Sequence, residues 1–249
     1  IDSIYNQITV IKALWQGFGH INREKKQLWS FTPVANMINP VAIGGLRLQY
    51  STSFYQKFEN RKSVYVGPNI DYGIRNRDVK GGIYANHVYN PKKKSYFAGY
   101  LGKYFGFVNS FATLTDILNR SNFYEESSAS LSHRTELFNG FYNSIGFNYA
   151  KREDLGDFQF NQDFDDIFEN NTPQKFKTNV LFTVGLGISY TPKQLYIQEP
   201  KEKIILGSRF PTFSLNLRKG IPKVFNSSST FTSIDFSISQ KFNVGIIGQ

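Results

Sequence analysis

Residues 45–58, GLRLQYSTSFYQKF, split into two sets when every second residue is read. Leu46, Leu48, Tyr50, Thr52, Phe54 and Phe58 fall on one side, with Gln56 out of place. Arg47, Gln49, Ser51, Ser53 and Lys57 fall on the other, with Tyr55 out of place. Period-two alternation predicts a β-strand with one apolar and one polar face. The stretch is about 14 residues long, whereas an ordinary globular strand runs roughly 5–6. A strand this long and apolar along one side belongs to a sandwich, a lipocalin-like barrel or an outer-membrane barrel.

The same period recurs. Over 63–75, Val64, Val66, Ile70, Tyr72 and Ile74 oppose Ser63, Asn69, Asp71 and Arg75. Further strands are predicted at 81–89, 96–107, 127–134, 141–150, 176–190, 213–219 and 231–244. Roughly nine or ten antiparallel strands are expected from this spacing. Short connections at 59–62, 90–94 and 136–140 alternate with long ones at 108–125 and 153–173. The short turns therefore fall at one end of the sheet and the long loops at the other. The 191–210 connection breaks this rule and is expected to hold a further hairpin or to lie inside a barrel. Residues 1–28 read differently: Ile1, Ile4, Ile8, Ile11 and Leu14 recur at helical spacing, predicting an amphipathic helical linker. The expected organisation is a 1–28 linker on the periplasmic side and a 29–249 partial barrel.

The chain has 249 residues, no Cys, 24 Phe and 15 Tyr, and a net charge of +10. Its mean hydropathy is −0.37, so many large apolar side chains sit on a chain that is polar on average. That combination requires strict partition by face. Basic runs do not exceed Lys92-Lys93-Lys94, and no RNA-binding or helix-turn-helix signature is present, which argues against nucleic acid as a partner. No stretch of about 18 apolar residues is present to form a transmembrane helix. The chain starts without Met, opens inside a helical pattern and stops on FNVGIIGQ in mid-strand, so it reads as a fragment.

Strand length favours a membrane barrel, whose strands need roughly 9–11 residues at about 45° tilt. In that architecture the apolar face meets lipid and the polar face lines the lumen. On 176–190 the apolar side carries Phe176, Val180, Phe182, Val184, Leu186, Ile188 and Tyr190. At about 3.3 Å per residue and about 40° tilt its terminal aromatics stand roughly 35 Å apart, as two interfacial girdles would. Leu46, Leu48, Tyr50 and Phe54 join them as expected lipid-facing residues. Arg47, Lys57, Asp71, Arg75, Lys103, Lys177 and Arg218 are the expected lumen-facing charges. They would set ion preference in a channel or pair with one another in a packed barrel.

No chemistry stands out. The acidic loop offers Asp163, Asp165 and Asp166 as a weak cation-binding candidate. The EF-hand pattern fails there, since from Asn161 the Gly position is Asp166 and the twelfth residue is Thr172. No phosphate loop or Gly-x-Ser-x-Gly elbow is present. His20, His87 and His133 are isolated. Ser132 and His133 are strand neighbours and point to opposite faces. No catalytic residue, cofactor site or firm metal site is assigned.

Four motifs occur in order: NPVAIGGLRLQYSTSF, NPKKKSYFAGYLGKYFGFVNSF, TELFNGFYNSIGFNYAKRE and YTPKQLYIQEPKEKIILGSRFPTFSLNLRKGI. They resemble the barrel region of a Bacteroidota outer-membrane family of carboxypeptidase-regulatory-like-domain proteins of unknown function. The resemblance begins at about residue 15; its most specific pieces are 136–142 and 207–213. It implies a Gram-negative outer-membrane location, with lipid and lipopolysaccharide as neighbours and a periplasmic sandwich elsewhere in the protein. It implies no enzymatic activity. The expectation is a structural or anchoring subunit of an envelope assembly, secretion or transport complex. A porin-like channel is the first alternative and an outer-membrane hydrolase the second.

Overall fold

The computed structural model describes residues 5–42, 44–108, 122–156, 158–159 and 173–241. The chain is all-β and antiparallel. In order the strands are β1 (Phe18–Asn22), β2 (Gln27–Phe31), β3 (Ile38–Ala42), β4 (Gly45–Lys57), β5 (Ser63–Gly73), β6 (Asp78–Asn90) and β7 (Ser95–Phe107). They continue as β8 (Phe123–Phe138), β9 (Phe141–Glu153), β10 (Asn179–Tyr190), β11 (Leu195–Gln198), β12 (Lys203–Gly207), β13 (Thr212–Gly220) and β14 (Thr232–Ser239). One 12-stranded sheet runs β1-β2-β4-β5-β6-β7-β8-β9-β10-β13-β14, with β3 also on β4; β11 and β12 form a separate hairpin. Among the described residues no ladder joins β1 to β14, so the sheet is open.

Two expectations change here. The sheet holds more than nine or ten strands, because short edge strands precede β4. The helical linker does not extend to residue 28. Among the described residues of 1–28, helix is confined to short pieces near a π-turn at Lys12–Gln16. Residues 18–31 are instead the β1–β2 hairpin, in register from Phe18–Phe31 to Asn22–Gln27. The expected break in the long 191–210 connection is the β11–β12 hairpin.

Register fixes the two faces. Ile83, Leu101, Ala129, Tyr149 and Phe182 stand side by side across β6 to β10. One residue along, Tyr84, Tyr100, Ser130, Asn148 and Thr183 form the parallel row on the other face. The apolar face is the exposed one: Leu101 is 62% exposed and Leu186 50%. The polar face holds the buried residues, with Arg47 at 2%, Lys80 at 5% and Glu126 at 6%. This polarity is inverted relative to a water-soluble sheet, which buries its apolar face.

The polar face is concave. A single cavity of about 540 Å³ is lined by β4, β6, β8, β10 and β13 together, and Arg47 of β4 reaches the Phe105 ring of β7 at 5.2 Å. Glycines help to fill the concave side. A Cβ on Gly102 would fall 2.3 Å from the Tyr100 hydroxyl, so only Gly lets that ring lie flat along the strand. Tyr65 over Gly67 and Tyr124 over Gly106 repeat the pairing.

Candidate functional site

At the end carrying the long loops, two ion clusters close the concave face. Arg47 donates from Nε to Asp71 at 2.8 Å and bidentately to Asp78 at 3.0 Å. Lys80 joins Asp78 at 3.0 Å and also reaches Glu125, which is shared with Lys103. Phe105 lies beneath both cations, with the Lys80 ammonium 4.6 Å from its centroid. Phe105 packs in turn against Phe123, Leu155 and Phe158. The second cluster is centred on Glu126, which accepts from Arg152 at 2.7 Å, from Tyr124 at 3.3 Å and from Tyr104. A buried charge needs such partners, because leaving one unpaired is costly.

The opposite end carries the short turns. Those at 23–26, 58–62 and 91–94 hold eight lysines and arginines against Glu24 and Glu59, which locates much of the +10 charge. Several of these turns end on a basic residue in the left-handed region: Lys26 at φ 53°, Arg61 at 64° and Lys94 at 48°. Turns of this shape ordinarily place Gly or Asn there, since a left-handed L-residue costs roughly 1–2 kcal/mol.

The cavity opens at this end. Its lining includes Lys57, Arg61, Lys94 and Arg134, with Tyr55, Tyr96 and Tyr142 between them. Glu202 is the one carboxylate in the lining; it pairs with Arg61 at 3.3 Å. Among the described residues Lys57, Lys94 and Arg134 have no carboxylate partner. The Arg134 guanidinium stacks on Tyr142 at 4.8 Å. Tyr142 is itself buried, and its hydroxyl accepts from Gln194 at 3.0 Å.

The β11–β12 hairpin forms the outer wall of this cavity. Pro192 and Pro200 preset the turns on either side of β11, and Glu199 N–H donates to the Glu202 carbonyl at 2.8 Å. Lys203 anchors the hairpin: its buried ammonium contacts Glu136 and donates to Asn139 Oδ1 at 2.9 Å. Asn139 returns a bond to the Gln194 carbonyl at 2.8 Å. At the far side the hairpin is held by the Arg61–Glu202 pair, with Arg61 exposed and Glu202 half-buried; a pair near the surface contributes about 0–1 kcal/mol. Lys203→Met is expected to unlatch the hairpin while leaving the large sheet folded. Hydrogen exchange should then rise at Tyr196–Ile205 amides by about 10–100-fold, matching a local loss of about 1.5–3 kcal/mol for a charged hydrogen bond, with β8 and β9 unchanged.

Leu46, Leu48, Tyr50, Phe54, Val180, Phe182, Val184, Leu186, Ile188 and Tyr190 share the apolar face, by the registers of β4 and β10. Arg47, Lys57, Asp71 and Arg218 lie on the polar face. Lys103 pairs across from Gly81 and Ser127, and its ammonium reaches Glu125 beside Lys80, in the ion cluster that closes the concave face. Three residues fall elsewhere. Arg75 sits in the β5–β6 turn rather than a strand. Phe176 and Lys177 precede β10, so the lower aromatics of that region are Phe182 and Tyr149. Asp163, Asp165 and Asp166 lie outside the described residues. The sequence reading missed Arg61, Lys94, Arg134, Glu136, Gln194 and Lys203; the basic turn residues and the two prolines were the available signals.

The fold and its concave site define a class: an antiparallel all-β sheet protein with an exposed apolar face and a polar, ion-paired interior face. Within that class, the chain belongs to the family of unknown function DUF5686, matching its C-terminal domain over residues 11–249. No curated protein and no solved structure matches it.

Proposed function

We propose that this chain forms part of the wall of an outer-membrane β-barrel with a non-enzymatic role. That role is structural or anchoring, within an envelope assembly, secretion or transport complex. The observation that carries the reading is the inverted polarity. Leu46, Leu48, Leu101, Leu131, Leu186 and Ile188 are exposed on one face, while Arg47, Lys80, Glu126 and Glu136 are buried on the other. A contiguous apolar surface of this extent needs a covering phase, and a bilayer supplies one along the whole length of each strand.

Aromatic clusters bound the apolar band and support the same reading. Phe138, Phe141 and Tyr190 lie within 6.1 Å of one another at the short-turn end. Phe225 packs on Tyr149 at 6.1 Å and on Phe182 at 5.3 Å at the other. Phe182 and Tyr190 are eight residues apart on β10, which is about 26 Å along the strand and about 20 Å of height at a tilt near 40°. Interfacial rings at both ends bring this close to the roughly 25 Å band of membrane barrels. Joining of the open sheet edges, by this chain or by further strands, would complete the barrel. The resemblance to Bacteroidota outer-membrane proteins fits this location.

The histidines support a non-enzymatic role. His133 Nε2 bonds the Tyr89 hydroxyl at 2.6 Å and stacks on Phe97, on the apolar face. His87 meets the Ser63 carbonyl at 3.2 Å. Among the described residues, neither ring bonds a Ser or Thr hydroxyl.

Detergent phase partitioning tests the location. The protein is expected in the detergent phase, and recovery in the aqueous phase would overturn the membrane reading. The second reading, a solute pore, is favoured by the basic cavity and opposed by the hairpin across it. Planar-bilayer recording is expected to show no stepwise currents; steps that persist at matched protein doses would replace the structural role with a channel.

A further inference from the structure

The short-turn cavity has a property that wall-building does not need. Elsewhere on the concave face, cations are matched with acids: Arg47 and Lys80 with Asp71, Asp78 and Glu125, and Arg152 with Glu126. In the cavity the pattern stops. Lys57, Lys94 and Arg134 converge on one space with no carboxylate partner among the described residues, and Glu202 is already taken by Arg61. Like charges gathered without counter-charge repel one another, so the arrangement is costly unless an anion enters.

Three further observations point to a ligand. Arg134 is pre-oriented, because its flat face is occupied by Tyr142. Its N–H edge is thereby left for the cavity, which suits forked recognition of a carboxylate or phosphate. The remaining lining is hydroxyl-rich, with Tyr55, Tyr96, Ser189 and Thr212. The cavity volume of about 540 Å³ is that of a small-molecule site.

We infer that the cavity beneath the β11–β12 hairpin binds a small hydroxylated polyanion, one that carries carboxylate or phosphate groups beside sugar-like hydroxyls. Arg134 clamps one anionic group by its fork, and Lys57 and Lys94 neutralise the others. The tyrosine and serine hydroxyls bond the neutral part. The inference goes beyond the wall role and does not depend on what covers the apolar face, since the cavity lies on the concave side.

Calorimetric titration of the folded protein in detergent, at fixed ionic strength, tests it. The probes are citrate, glucose 6-phosphate, inorganic phosphate and neutral glucose. Saturable binding of citrate or glucose 6-phosphate is expected, with glucose undetected. Citrate and glucose 6-phosphate together separate carboxylate from phosphate preference. Arg134→Gln should weaken binding about 10–100-fold, and Lys94→Gln or Lys57→Gln about tenfold, as loss of charged hydrogen bonds does. Circular dichroism of each variant, with Lys25→Gln on a neighbouring turn as a charge-matched control, separates misfolding from site loss. Equal weakening by Lys25→Gln would reduce the effect to general surface charge and overturn the proposal. Absence of saturable binding by all three anions would overturn it directly, whatever the partitioning experiment gives.

Discussion

Arg47→Met is expected to destabilise the folded chain by about 3–5 kcal/mol, the range for removing one partner of a buried pair. Among the described residues Arg47 is the largest fully buried side chain, and its guanidinium serves two carboxylates through three hydrogen bonds. Met fills a similar volume, so the loss isolates charge from packing. It leaves Asp71 and Asp78 facing each other, with Lys80 the nearest remaining cation to Asp78. Arg47→Lys keeps the charge but cannot form the fork to Asp78, and should fall between wild type and Met. The triple variant Arg47→Met, Asp71→Asn, Asp78→Asn should recover most of the loss, because replacing a whole ionic cluster is often close to neutral. Urea midpoints followed by circular dichroism in detergent report all three. An unchanged midpoint in Arg47→Met would show that the cluster does not hold β4, β5 and β6 together.

The reason Arg47 could be found from sequence, and Lys203 could not, is physical. Arg47 sits in a long strand, where parity alone assigns a face, and an arginine flanked by Leu46 and Leu48 on a 13-residue strand must point away from them. Lys203 lies in a five-residue strand whose partner Glu136 is 67 positions away. No period connects them; the contact exists only because the hairpin folds back over the concave face. The N-terminal region failed for a related reason. The isoleucine spacing over 1–14 is helical, but Phe18–Asn22 and Gln27–Phe31 are separated by Arg23-Glu24-Lys25-Lys26, which is a hairpin pattern. β4 offers β2 a ladder from Gln27–Gln56 to Phe31–Thr52, and those backbone bonds outweigh a marginal short helix.

The apolar face yields the sharpest test of environment. Leu186→Arg is expected to cost about 2–4 kcal/mol for the chain folded in a bilayer, the range for Arg on the lipid face at mid-membrane. Leu186 stands between Ile145 and Leu217 in the sheet, half exposed, and midway between Phe182 and Tyr190 along β10. In water the same exposed position would change stability by no more than about 0.5 kcal/mol. Depth makes the distinction stronger than a single value. Tyr190→Arg sits at the aromatic margin and should cost only about 0–1 kcal/mol beyond its lost packing. A polar-face change at the same depth, Ser144→Arg opposite Gly187, should escape the lipid penalty altogether, since its side chain enters the concave side. Folding titrations into lipid vesicles would give the three values. A cost that peaks at Leu186, falls towards Tyr190 and vanishes on the opposite face has one physical source, a hydrocarbon layer on the outer side of the sheet. A flat profile along the apolar face would mean that another protein surface, or water, covers it instead.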